Sequence, residues 1–140
     1  MKHLLLVASI LAMGLMSYGQ CDKKLRLTSS KTEYLQADSS VQRTVEENTV
    51  IEFDKSTITI APGDHDHLTG TIHSYTCNWA VPYKTGRTRL KVTLKKSEGE
   101  TKEAVITIDG SNGKVTLLLE LDDMPDKKIR VIGDKFEEVR

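Results

Sequence analysis

Apolar and polar residues alternate along most of the chain beyond residue 24. Leu25 and Leu27 open the pattern, Val50, Ile51 and Phe53 continue it, and Ile58 and Ile60 interleave with Thr57 and Thr59. Leu90, Val92 and Leu94 then alternate with Lys91, Thr93 and Lys95. Ala104, Ile106 and Ile108 repeat the pattern, as do Val115, Leu117, Leu119 and Leu121, and Ile129 and Val131 close it. A period of two is the mark of a half-buried strand, because successive side chains leave opposite faces. On a straight strand, the odd positions His73, Tyr75, Cys77, Trp79 and Val81 share one face.

Turn chemistry separates these runs. Asp54-Lys55-Ser56, Pro62-Gly63-Asp64, Lys84-Thr85-Gly86, Ser97-Glu98-Gly99-Glu100 and Asp122-Asp123-Met124-Pro125-Asp126 all break the alternation. Asp109-Gly110-Ser111-Asn112-Gly113 reads as a hairpin loop, since Asn and Gly tolerate positive φ. Residues 36–49 are polar and read as a loop or weak hairpin, with one or two helical turns over Val41–Asn48 as the single helical prospect. The last four strands form a meander of hairpins. The expected fold is therefore all-β, a small antiparallel meander barrel, with a β-sandwich as the alternative. Closure into a barrel removes the two edges that an open meander would expose to other chains.

The first residues change the picture of where this domain works. Met1-Lys2-His3 is basic, Leu4–Met16 carries no charge, and Ser17 and Gly19 are small residues at the −3 and −1 positions of a signal peptidase site. The apolar run is too short for a membrane-spanning helix, which needs roughly 20 residues. Residues 1–19 are thus expected to be a signal peptide and residues 20–140 a single exported domain, periplasmic or secreted. Cleavage there makes Gln20 the new N-terminus, a residue able to cyclise to pyroglutamate. The alternative is a lipid anchor on Cys21, and membrane attachment depends on it; Tyr18-Gly19-Gln20 is a poor lipobox.

The chain has two cysteines. In an oxidising compartment Cys21 and Cys77 are expected to pair, a bridge worth roughly 3–4 kcal/mol in the chain-entropy picture. The 20 basic and 20 acidic residues cancel, so nothing steers the protein to nucleic acid or to an anionic surface.

The leader, the opening strand Lys24–Ser30 and the long antiparallel meander together make the chain resemble a small exported bacterial lipocalin-like (calycin) β-barrel. The resemblance is architectural: the first strand lacks the Gly-x-Trp of lipocalins, and the single Trp is Trp79. It implies a cup for a small apolar ligand. An eight-stranded barrel either holds such a ligand or fills itself with side chains.

Three clusters bear chemistry. His73, Tyr75, Trp79 and Tyr83 are candidates for lining a ligand site or a partner surface, since Trp and Tyr pair an apolar body with a polar tip. Asp64, His65, Asp66 and His67 offer imidazole and carboxylate ligands for a transition metal, on a turn after Pro62-Gly63. Cys77 and His73 suggest a thiol–imidazole pair, but four residues along a strand separate them by roughly 13 Å. No nucleophile elbow or phosphate loop occurs, so catalysis is not expected and no cofactor is implied. The expected function is binding of a small apolar ligand in the barrel. The alternatives are an envelope protein-interaction module without internal ligand, and a weak metal binder through Asp64–His67.

Overall fold

The computed structural model describes residues 20–63 and 67–139. The expected leader, and Asp64, His65 and Asp66 of the candidate metal cluster, lie outside the described residues.

Nine strands form one antiparallel sheet: β1 (Leu25–Gln36), β2 (Val41–Val45), β3 (Thr49–Phe53), β4 (Thr57–Pro62), β5 (Leu68–Val81), β6 (Thr85–Lys96), β7 (Thr101–Ser111), β8 (Lys114–Leu121) and β9 (Lys127–Glu138). Neighbours follow chain order from β3 to β9, and β1 pairs with β9 from Leu25↔Glu138 to Gln36↔Lys127. That seam closes β1 and β3–β9 into an eight-stranded barrel and rules out the sandwich. The meander of the last four strands is as the alternation predicts. Asn112 and Gly113, both at positive φ, make the two-residue turn between β7 and β8.

The segment expected to be a loop, weak hairpin or short helix is β2. It is a short, exposed strand lying against the second half of β1, while β3 lies against the first half. The helical turns over Val41–Asn48 are absent because Val41, Arg43 and Val45 take ladder positions opposite Leu35, Tyr34 and Thr32. β2 has no second sheet neighbour among the described residues. Its shortness and its Arg43 are the usual protection of such an edge.

Bulges decide which residues face inward. In β1 the register shifts between Ser29 and Lys31, so the inward set changes from Leu25, Leu27 and Ser29 to Thr32. The Ser29 hydroxyl stabilises the kink: its Oγ donates to the Lys31 carbonyl at 2.9 Å and accepts from the Lys31 N–H at 3.1 Å. In β5 the shift between Ile72 and Ser74 makes His73 the extra residue. His73 therefore points outward and does not share a face with Tyr75 and Trp79, contrary to the straight-strand expectation. A second shift between Trp79 and Val81 leaves Val81 exposed as well.

The waist of the barrel is filled. Leu27, Ile51, Ile58, Leu90, Val92, Ile106, Ile108 and Leu117 are each at most 1 % exposed. Close packing of this kind leaves no enclosed cup running the length of the barrel.

Candidate functional site

The two barrel ends differ, and the difference locates the site. At one end, the strands supply aromatic rings that shut it. Phe136 of β9 stacks on Phe53 at 6.4 Å between centroids, tilts against Trp79 at 5.6 Å and takes the edge of Tyr83 at 5.5 Å. Trp79 needs a flat seat, and Gly86 and Gly110, paired across β6 and β7, provide it. A Cβ at Gly110 would strike the indole ring itself. The indole N–H donates to Thr88 Oγ1 at 2.8 Å, both groups being buried. Trp79 is 5 % exposed. It is thus a core residue with its polar tip satisfied, not the rim of a pocket or a surface for a partner.

The N-terminal segment covers this end. Cys21 and Cys77 form a disulfide with their Cα atoms 6.0 Å apart. Gln20 Oε1 accepts the Tyr83 N–H at 2.7 Å, and the Tyr75 phenol donates to the Cys21 carbonyl at 3.4 Å. Burial, then the negative charges of Asp22 and Asp54, push the Tyr75 hydroxyl pKa up. Burial, then Glu138, does the same to Tyr83. Trp79 and Tyr83 therefore meet on Phe136 as a closure, Tyr75 is tied to the N-terminal segment, and Tyr83 also borders an outer groove of about 580 Å³ with Arg26, Glu137 and Glu138. His73 is not with them: it is exposed on the outer wall, its Nε2 2.6 Å from Thr93 Oγ1. Cys77 is committed to the bridge, which removes it as a nucleophile. His67 is exposed at the start of β5, and no group of three or more metal-binding side chains gathers among the described residues.

The opposite end, the mouth, holds free volume that reaches inside the barrel, whereas the grooves beside Tyr83 and Phe136 lie outside the aromatic closure. A mostly apolar cavity of about 100 Å³ inside the barrel is lined by Ile51, Ile60, Leu117, Leu119, Ile129 and Val131, with Thr32, Thr49 and the carboxylate-bearing Glu47 also on its wall. Two polar groups in this apolar lining have no partner. The Thr32 and Thr49 hydroxyls are buried and make no hydrogen bond among the described residues. A buried hydroxyl without a partner is costly, about 1–3 kcal/mol, so this pair is the energetically unusual feature of the cavity.

Tyr34, Leu119 and Ile129 also line an outer groove of about 570 Å³, which lies over the cavity between β2 and the β8–β9 turn. Leu35, Leu121 and Met124 continue its apolar floor, and Arg43, Lys127 and Lys128 supply its charge. The Arg43 guanidinium sits over the Tyr34 ring, 4.3 Å from the centroid. Lys128 has Glu120 at 3.8 Å. No carboxylate pairs with Arg43 or Lys127 among the described residues. The Asp38 carboxyl at the β1–β2 turn is held below its ordinary pKa, chiefly by the Ser40 hydroxyl and N–H, so an anion also stands near Lys128.

None of the mouth residues carries a motif. Their signal was the phase change in β1, which the polar run Ser29-Ser30-Lys31-Thr32 conceals. Comparison with protein-family models, with curated proteins and with solved structures returned no match, so the barrel's own geometry bears the weight of the functional reading.

Proposed function

We propose that this chain is an exported lipocalin-like protein that binds a small amphipathic molecule at the mouth of the barrel. The apolar body lies against Leu35, Leu119, Leu121 and Ile129, a small group reaches the Thr32 and Thr49 hydroxyls, and an anionic head meets Arg43 and Lys127. The observation that carries this reading is the pair of unpartnered threonine hydroxyls in an apolar cavity that adjoins a cationic groove. A groove of this size lies in the range of small-molecule sites. The disulfide is compatible with an oxidising compartment, as export requires. The filled waist restricts the ligand to the mouth, so the site is shallower than the cup the resemblance implies.

10-Hydroxydecanoate, an apolar chain with a hydroxyl at one end and a carboxylate at the other, serves as the probe in isothermal titration, and decanoate, which lacks the hydroxyl, is expected to bind more weakly. Saturable binding is expected, weakened about tenfold by Arg43→Ala, as loss of one charge-assisted contact predicts. Leu119→Trp, which fills the cavity entrance, is expected to abolish it. No saturable binding by 10-hydroxydecanoate, together with no molecule retained in native mass spectrometry of the gently purified protein, defeats the proposal.

A further inference from the structure

The amide of Gln20 is used on one side only. Its Oε1 accepts the Tyr83 N–H at 2.7 Å, and Tyr83 holds that N–H in place at the β5–β6 turn with a positive φ of 64°. Its Nε2 is buried and has no hydrogen-bond partner among the described residues. The residue as a whole is 4 % exposed. Its own carbonyl accepts the Lys23 N–H at 3.2 Å, and its neighbour Cys21 is bonded to Cys77, so the segment is fixed against the aromatic end. A buried carboxamide that uses its oxygen and wastes its nitrogen is poorly matched to its seat.

Signal-peptide cleavage after Gly19 would worsen the mismatch. It would leave an α-ammonium on the residue whose side chain is seated against the aromatic end, beside the amide nitrogen that already lacks a partner. The Cys21–Cys77 bond also bears on the leader, because a lipoprotein needs the Cys21 sulfur for its thioether.

We propose that Gln20 is the mature N-terminal residue and is cyclised to pyroglutamate, and that the lactam plugs the aromatic end of the barrel. In the reaction the α-amine of Gln20 attacks its own Cδ. A new N–Cδ bond forms, the Cδ–Nε2 bond breaks, and Nε2 leaves as ammonia with one proton from the α-amine. No oxidant or co-reactant is consumed. The lactam keeps the oxygen that Tyr83 N–H needs, discards the unpartnered nitrogen, and removes the terminal charge. This inference rests on the expected leader and not on the ligand-binding reading, and its failure would leave that reading untouched.

The test is the mass of the mature protein, exported from its own leader in the source organism and kept near neutral pH. A synthetic peptide with the same N-terminal sequence, carried through the same workup, sets the background of spontaneous cyclisation. Tandem mass spectrometry is expected to find a chain that begins at Gln20 and is one ammonia lighter than the encoded sequence, well above that background. A free amine on Gln20, a start at another residue, or a diacylglyceryl group on Cys21 overturns the proposal. As a second measurement, Gln20→Ala, with its start confirmed by mass, is expected to melt about 2–6 °C lower, the shift for losing one buried contact in a domain of this size. An unchanged melting temperature overturns the plug.

Discussion

Thr88 is the single partner of the indole N–H of Trp79, and replacing it by valine tests how far that one contact holds the closed end together. Valine keeps the shape and removes the hydroxyl. Thr88 is fully buried and Trp79 nearly so, so no water replaces the lost acceptor at the 2.8 Å position. A buried donor left without a partner costs about 1–3 kcal/mol. The Thr88 hydroxyl also points to Cys77 Sγ at 3.6 Å, a weak contact that adds little. We expect Thr88→Val to destabilise the domain by about 2 kcal/mol, which moves a urea midpoint down by roughly 1 M at an ordinary m-value. Thr88→Ser keeps the hydroxyl and loses one methyl, at a cost nearer 1 kcal/mol. Far-UV circular dichroism follows the unfolding in every variant, and the fluorescence of the lone tryptophan adds a local probe wherever Trp79 is kept. The decisive comparison is a double-mutant cycle with Trp79→Phe, which has no N–H to strand. In that background Thr88→Val should cost about 1–2 kcal/mol less. A Thr88→Val penalty below about 0.5 kcal/mol, or one that is the same with Phe at position 79, refutes the reasoning.

Three further outcomes are expected. The Cys21–Cys77 bond spans 56 residues, so the Cys21→Ser/Cys77→Ser variant should lose about 4 kcal/mol in denaturant unfolding, and a loss under about 1 kcal/mol would show that the loop is already constrained without it. Gly110→Ala places a methyl against the Trp79 ring and within 2.9 Å of the Lys84 carbonyl oxygen, and should cost about 2–3 kcal/mol, whereas Gly99→Ala meets no atom within 4 Å and should show only the roughly 1 kcal/mol of its positive φ; equal melting temperatures would contradict the glycine seat. The Asp54 carboxylate accepts the Thr57 and Ser56 N–H groups, which hold its pKa below the ordinary 3.8; its stabilisation is therefore complete above that pH and lost as the pH falls through the lower folded value, so Asp54→Ala should cost about 1 kcal/mol at pH 7 and progressively less as the pH falls below 3.8 in thermal melts.

The alternation alone located most of the core. Leu90, Val92 and Leu94, then Ala104, Ile106 and Ile108, then Val115, Leu117 and Leu119 all face inward, because each strand runs between turns without a bulge and the period of two holds. It failed where a strand carries an extra residue. His73 and Ala80 in β5 shift the phase of their neighbours, and nothing in Ile72-His73-Ser74 distinguishes a bulge from regular extension. The same limit hid the mouth. Thr32 is out of phase with Leu25 and Leu27 and is turned inward by the β1 bulge, whereas Thr49 shares the phase of Ile51 and Phe53 but is polar and sits at the end of a run read as a loop. The aromatic residues Trp79 and Tyr83 drew attention as a binding rim for a sound local reason, their amphipathic rings. What local reading lacked was Phe136, which arrives from the far end of the chain to cover them.

The seam between β1 and β9 also sets an order in time. Leu25 pairs with Glu138 across the seam, so the first strand to be synthesised waits for the last one. The hairpins from β5 to β9 join near neighbours and close early, while the circle is completed only after nearly the whole domain has emerged. Until then both edges of the unfinished sheet are adhesive. The interval between emergence and closure, rather than the stability of the finished barrel, is where a holding chaperone would matter most. A chain cut short before β9 would never leave that interval.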